Sequence, residues 1–570
     1  MSRIARLLGL TIPLVLLLVV AGAASVAASV AAAPAVEGRT LKWGAALAIA
    51  ACYWLSQSAW LAGLGFWTLY RPLVAGLLVG IVLGDPVGGT RVGATINLAY
   101  LGFIAAGGSL PSDIALAGYV GTTLALIGGL PAEAALAATL PVGMLGYLAY
   151  QLRMTLSVPF AHRADRCAQR GDVRGLAFWN VVPPQALTLL LTLVPCFLGL
   201  YYGIAPLATL LGRLPERLMG ALSVVGTLLP ALGIALSLAL LWHGPNPIFF
   251  VLGFVISAVI DIPLLAFALV AGLMAYLAHV RAPEASSGPE VSPVQEPQQA
   301  STKAALSRRE LVRSWLTWLF FSHANYNFER WQGTGFAHSL APALRVLYPK
   351  RDDLAEALTR HTVYYNSEPN VGALTNGVVL ALEEARARGG DVPASAIVAA
   401  KTALMGAVSA LGDTLIQGTL APMLLSLGIA LALDGSPAGP LLYVLAIAAL
   451  VWGVGWGAFR QGYQLGSTRV AAWLERGQLR QVLKGAETVG SSILGALAAR
   501  LLQISTPATL RAGQLTLRLQ QDLLDKLLPQ ALPLAVVLIY LVLLRRRIAA
   551  SWLVLGTFVL GGAAHLVGLL

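Results

Sequence analysis

The sequence predicts an all-α polytopic membrane protein made of two tandem membrane modules. Broken or re-entrant helices are expected in both, and an amphipathic helical region in the second. Three observations carry this. Of 570 residues, 57% are apolar and only 11% are charged, less than half the roughly 25% charge of a soluble domain. Apolar runs near the length of a membrane crossing recur along the whole chain. Between residues 281 and 302 the character changes abruptly to Pro, Ser, Glu and Gln, a composition too polar to build a core.

The elements follow in order. Residues 7–33 form an apolar run preceded by Arg3 and Arg6 and ending in small residues. Residues 1–36 therefore read as a signal peptide or an extra transmembrane helix, with Pro34 weighing against cleavage. The first module spans 37–280, with apolar runs at 43–64, 72–83, 92–107, 114–150, 176–204, 219–242 and 247–278. Several are too short for a full crossing or are interrupted, as at Gly128-Gly129-Leu130-Pro131, Pro183-Pro184 and Asp261-Ile262-Pro263. Such breaks free backbone groups, which a membrane tolerates only inside protein or beside a watery cavity, and transporters build binding sites from them. The 59 glycines and 31 prolines suit closely packed, broken membrane helices.

Residues 281–307 read as a flexible linker. The second module spans 308–570. It opens with a mixed, amphipathic stretch to residue 388. Apolar runs resume at 371–382, 397–433, 441–459, 527–544 and 551–570, with a polar, partly helical insert at about 461–526. Arg153, Arg163, Arg166, Arg170 and Arg174 crowd one loop, and Arg545-Arg546-Arg547 another; both are expected on the cytoplasmic side.

This composition excludes a soluble enzyme. The formal charge of +12 follows from 38 Lys and Arg collected in loops, so nucleic acid is not an expected partner, while membrane lipid is. Cys52, Cys167 and Cys196 are scattered and form no metal spacing or disulfide framework. No catalytic motif, metal site or cofactor site is expected.

Function must then lie in polar groups at membrane depth, each a default site candidate. In the first module, Asp85 and Asp113 suit helix N-caps, whereas Thr95, Asn97 and Asp261 lean towards substrate. In the second, Asn325, Asn327, Glu329, Arg330 and Gln332 crowd together among aromatics. On a helix, Asn325 would share a face with Glu329 and Gln332. Amides, a carboxylate and flat apolar rings suit a sugar; an interfacial helix with an outward Glu329–Arg330 pair is the competing reading. His361 poses a choice between phosphoacceptor and structural donor, Asn366 between sugar site and interfacial helix, and Asp413 between site and helix cap.

Several motifs resemble a known family. The first module carries Arg71-Pro72-Leu73-Val74, Leu83-Gly84-Asp85, Gly93-Ala94-Thr95, Gly107-Gly108 and Pro111-x-Asp113. It resembles the IIC component of the mannose/fructose/sorbose family of the bacterial phosphoenolpyruvate-dependent phosphotransferase system. The second carries Asn327-Phe328-Glu329-Arg330-x-Gln332-x-x-Gly335-Phe336, Leu347-Tyr348-Pro349, Arg360-His361, Ala381-Leu382-Glu383-Glu384 and Gly412-Asp413. It resembles the IID component. The resemblance implies a sugar permease, hexose-type, in the bacterial inner membrane. It also implies elevator-like movement, a homotrimer, and a cytoplasmic IIAB phosphocarrier as phosphoryl donor, with no phosphoacceptor in this chain. Two departures point to an alternative, a membrane receptor or regulator that kept the fold. Residues 65–70 are apolar where the family commonly carries an acidic and Gln-containing cluster, and Asn97 stands where it has Glu.

Overall fold

The structure, a computed structural model, describes residues 41–59, 64–102, 112–204, 215–242, 244–260, 262, 267, 270–275, 306–390, 392–475, 478–502, 504–512, 515–548 and 550–570. The leading segment 1–36, Asp261 and the linker as far as residue 305 lie outside the described residues.

The first module contributes α1 (Trp43–Gln57), α2 (Pro72–Leu83), α3 (Pro86–Ala99), α4 (Ile114–Gly128), α5 (Ala132–Leu156), α6 (Val158–Ala168), α7 (Val173–Leu198), α8 (Glu216–Leu241) and α9 (Asn246–Val259). The second contributes α10 (Arg308–Phe321), α11 (Gly333–Leu347), α12 (Arg351–His361), α13 (Pro369–Ala387), α14 (Ala394–Gly412), a π-helical turn (Asp413–Leu420), α15 (Ala421–Leu433), α16 (Ala438–Glu475), α17 (Gln478–Leu501), α18 (Ala531–Arg545) and α19 (Ala550–Leu566). One small antiparallel hairpin, β1 (Thr509–Ala512) with β2 (Leu515–Arg518), pairs Thr509 with Arg518.

Among the described residues four helical runs are long and apolar enough to cross a membrane: Ala132–Ala168, Val173–Gly203, Asp413–Leu433 and Ala438–Gln464. Leu145, Leu148, Leu190 and Leu445 on these runs stay exposed, as side chains facing lipid do. By contrast α2 has 12 residues and α3 has 14. At 1.5 Å per residue each is about 18–21 Å long, short of the roughly 30 Å hydrocarbon layer. They form a tight helical hairpin, neither arm of which is long enough to cross alone. Gly84 turns the chain in the left-handed region (φ 81°), and Asp85 caps α3 by accepting from Gly88 N at 2.8 Å.

Glycine lets the two arms touch backbone to backbone. A Cβ on Gly76 would lie 2.4 Å from the Gly89 carbonyl oxygen, and one on Gly89 would lie 2.4 Å from that of Gly76. Gly76→Ala is therefore expected to destabilise the protein by about 1–3 kcal/mol through overpacking, despite alanine's better helix propensity. Thermal unfolding in detergent measures this; an unchanged or raised midpoint would remove the contact as a determinant.

Two sequence expectations change here. Pro183-Pro184 does not break its helix, since α7 runs through both and through Pro195. The helix is packed on protein there, with Pro184 and Gln185 buried, the setting in which freed backbone groups are tolerated. Within the stretch read as a polar insert, α16 continues to residue 475 and α17 follows it. In α17, Ile493, Leu494, Ala496, Leu497 and Ala498 are buried, packed against α9 of the first module. The modules also meet where α8 packs on α18 and α19, and where α3 packs on α15. The amphipathic stretch after Arg308 is folded into protein, with Trp318, Phe336 and Tyr365 fully buried.

Candidate functional site between the modules

A cavity of about 160 Å³ opens where the two modules face each other. Phe66, Trp67 and Tyr70 give it an aromatic wall from the segment just before α2, and α5 adds Tyr147, Tyr150 and Arg153. Leu319, Phe320 and Pro369 extend the apolar lining, and among the polar groups three carboxylates stand at helix beginnings: Asp113 before α4, Glu368 before α13, and Asp413 opening the π-helical turn. Neither module encloses the space alone.

Asp113 is held from several sides. Its Oδ2 accepts from Tyr53 OH at 2.6 Å and from the Gln57 side-chain amide at 2.7 Å. Its Oδ1 caps α4 by accepting from Leu116 N at 3.0 Å. Glu368 caps α13 in the same way, accepting from Asn370 N at 3.0 Å and Val371 N at 2.7 Å. Asp413 accepts from the Gln417 amide at 2.6 Å, one turn away. A π-helical turn inserted in a helix is frequent at functional sites.

The dense segment after Ser322 is not the helix that the spacing suggested. Between α10 and α11 the chain is a set of turns, with Trp331 at φ 53°. Asn327 makes the turn, its Oδ1 accepting from Glu329 N and Arg330 N at 3.1 and 2.9 Å. The other polar members reach across to the first module. Glu329 meets His162 at 2.6 Å and Arg330 meets Asp165 at 3.2 Å. The Asn325 amide lies 3.1 Å from the Ser157 carbonyl and 3.2 Å from Ala161 N, in the orientation those two groups dictate. Asn325, Glu329 and Arg330 thus clamp α6 rather than face the cavity.

Gln332 does face it. Its amide nitrogen donates to the Ser367 carbonyl at 2.8 Å and lies 2.9 Å from His323 Nε2, while its oxygen accepts from Ser367 N at 3.0 Å. Burial, reinforced by Arg153, pushes the His323 imidazole down to about 4, so it is neutral at physiological pH and its ring nitrogens divide into one donor and one acceptor. Asn366, next to the gripped Ser367, accepts from Tyr326 OH at 3.0 Å. Of the candidates drawn from sequence, the cavity therefore gathers Gln332, Asn366 and Asp413.

The others lie elsewhere. Thr95 bonds back to the Arg91 carbonyl within α3 at 3.1 Å. Asn97, 1% exposed, accepts from Leu73 N at 3.2 Å and so satisfies an orphan donor at the start of α2. His361 is fully buried with Nε2 2.8 Å from Glu383 Oε1, the arrangement of a structural donor. Gln57, Tyr70, Arg153, His323, Glu368, Asn370 and Gln417 line the cavity but are not among the site candidates drawn from sequence; Arg153, expected in a basic loop, stands in α5. The available signal was positional: polar residues cluster where helices start or break.

The profile of the IID component of the phosphotransferase mannose/fructose/sorbose family matches residues 305–570. That of the sorbose-specific IIC component matches residues 43–277. The mannose-specific EIID component of Escherichia coli K12 is 32% identical over 283 residues, covering 48% of this chain and 98% of that protein. The sorbose-specific EIID component of Klebsiella pneumoniae is 33% identical over 252 residues, covering 43% and 92%. The mannose-specific EIIC component of E. coli K12 is 30% identical over 224 residues, covering 38% and 84%.

Proposed function

Since the chain belongs to the mannose/fructose/sorbose family of the phosphotransferase system and joins a IIC and a IID component in one polypeptide, we propose that it takes a hexose into the cavity between them and moves it inward. A separate cytoplasmic IIAB phosphocarrier phosphorylates the sugar there. The observation that carries this reading is the cavity's composite lining. Trp67 and Tyr70 offer flat faces to a pyranose ring, while Gln57, Asn366 and Asn370 bring side-chain amides to hydroxyls. The acids missing near Arg71 and at Asn97 have counterparts in Asp113, Glu368 and Asp413. Charge-assisted bonds from such groups are roughly twice as strong as neutral ones.

Fusion suits a site of this kind. When half the lining comes from each component, a tether keeps the halves at high effective concentration. Assembly as a trimer in the bacterial inner membrane belongs to the same proposal.

Uptake of labelled mannose, fructose and sorbose into vesicles, with and without phosphorylated IIAB, tests the reading. Accumulation of sugar phosphate that depends on phosphorylated IIAB is the expected result. Hexose binding without any transport would favour the receptor alternative, and neither binding nor uptake of any hexose would sink the proposal.

A further inference from the structure

Segment 362–368 forms one lip of the cavity, bringing Asn366, Ser367 and Glu368 to its surface. Gln332 fixes its end by gripping Ser367, and its middle pairs with the 330–332 turn, Gln332 N donating to the Tyr365 carbonyl at 2.8 Å. Its beginning is held from α14. Lys401, 1% exposed, donates from Nζ to the His361 carbonyl at 2.9 Å and to the Val363 carbonyl at 3.4 Å. The ammonium also stands 4.3 Å from the centre of the Phe336 ring and 5.4 Å from that of Tyr365.

We infer that Lys401 is a positioning residue for the cavity, acting through the His361 and Val363 carbonyls to hold the 362–368 lip against α14. The inference rests on the reading of the cavity as the hexose site. An ammonium is costly to bury, so it persists where several groups compensate it. Here no carboxylate pairs with it among the described residues; carbonyls and two ring faces do that work. His361 ends α12, where carbonyls lack helical partners and a cation is favoured.

The rest of α14 continues the contact. Lys401, Met405 and Ser409 follow one another at four-residue steps along α14, and Asp413 opens the π-helical turn after it. Met405 Sδ accepts from Asn366 N at 3.3 Å. Ser409 and Asp413 reach the cavity itself. Beside them Gly412 has no Cβ, which would otherwise come within 2.6 Å of the Glu368 side chain. The helix therefore tracks the lip from its base to the cavity, with Lys401 as the outer anchor.

The test uses full-length protein in detergent and two readouts: hydrogen exchange at the amides of residues 365–367, and the dissociation constant for labelled mannose and fructose. Lys401→Met keeps the volume and removes the cation. It is expected to speed exchange at the lip and to weaken hexose binding of the folded protein, each by about tenfold. Lys401→Arg is expected to stay within about threefold of wild type in both, because it keeps the charge. Unchanged exchange in Lys401→Met would overturn the inference, as would faster exchange with unchanged affinity. If wild type binds no hexose while Lys401→Met still loosens the lip, the hexose reading fails and the anchorage stands. Should Lys401→Met not fold, Lys401→Gln replaces it, removing the cation and shortening the reach to the two carbonyls; an exchange rate and affinity both equal to wild type would overturn the inference.

Discussion

Glu383→Gln is expected to cost about 3–5 kcal/mol of stability, the loss typical of leaving one partner of a buried ion pair alone. Glu383 is fully buried, and the Arg360 side chain is 8% exposed. Its Oε1 accepts from Arg360 Nε at 2.6 Å and lies 2.8 Å from His361 Nε2. Its Oε2 accepts from Arg360 Nη2 at 2.8 Å and Tyr348 OH at 2.6 Å. Glutamine would leave the guanidinium without its buried anion. Glu356→Gln is the control: it removes another carboxylate from Arg360, 3.0 Å away but 61% exposed, and exposed pairs contribute about 0–1 kcal/mol.

The same cluster sets a pH dependence. Burial pushes the Glu383 carboxyl up, but the hydrogen bonds and charges of Arg360 and His361 outweigh it and hold the group at about 2. Its stabilising contribution is then complete above the ordinary value of 4.5 and drains away as pH falls towards 2. Burial holds the His361 imidazole below its ordinary 6.5. The unfolded chain therefore takes up that proton first, and stability falls in the same direction as pH drops below 6.5. Acid unfolding of wild type should be steeper than that of Glu383→Gln between pH 5 and 2. Equal slopes would show that the cluster is not the titrating element.

What the sequence made legible was local. Four helices long and apolar enough to cross a membrane fall on the long apolar runs, and the run at 72–83 is α2, whose 12 residues cannot stretch across a bilayer. Asp85 and Asp113 cap helices as their positions suggest, through Gly88 N and Leu116 N. The cavity was harder to see because it exists only through pairing. Tyr150 and Arg153 face Glu368 and Asn370 from more than 200 residues away in the chain. The segment around Asn327 misled for the same reason. Its polar side chains were read as one helical face, but their partners, His162, Asp165 and Ser157, belong to the other module. Asp113 shows the limit of choosing between cap and site: one oxygen caps α4, while the carboxylate also lines the cavity.

That double role makes Asp113→Asn the sharpest test of the binding site, with hexose affinity expected to fall about ten- to hundredfold. Asparagine caps a helix about as well as aspartate, so the variant should fold with α4 intact and Leu116 N satisfied. What changes is the side facing Tyr53 and Gln57. Both now donate to Oδ2, at 2.6 and 2.7 Å, and an amide nitrogen placed there would meet donors with a donor. Gln57, which lines the cavity, loses the partner that orients it, and the wall loses a charge. Hydrogen bonds to a charged group contribute about 1.5–3 kcal/mol, and each 1.4 kcal/mol is tenfold in affinity, which gives the expected range. Asp85→Asn is the matched control. It changes the same kind of cap, on Gly88 N at 2.8 Å, at a hairpin tip that does not line the cavity. Its hexose affinity should equal that of wild type. The measurement is equilibrium binding of labelled mannose and fructose to purified protein, with the melting temperature of each variant recorded. If the two variants bind alike, the sugar does not sit against Asp113, and the cavity between the modules is not where this chain holds its substrate.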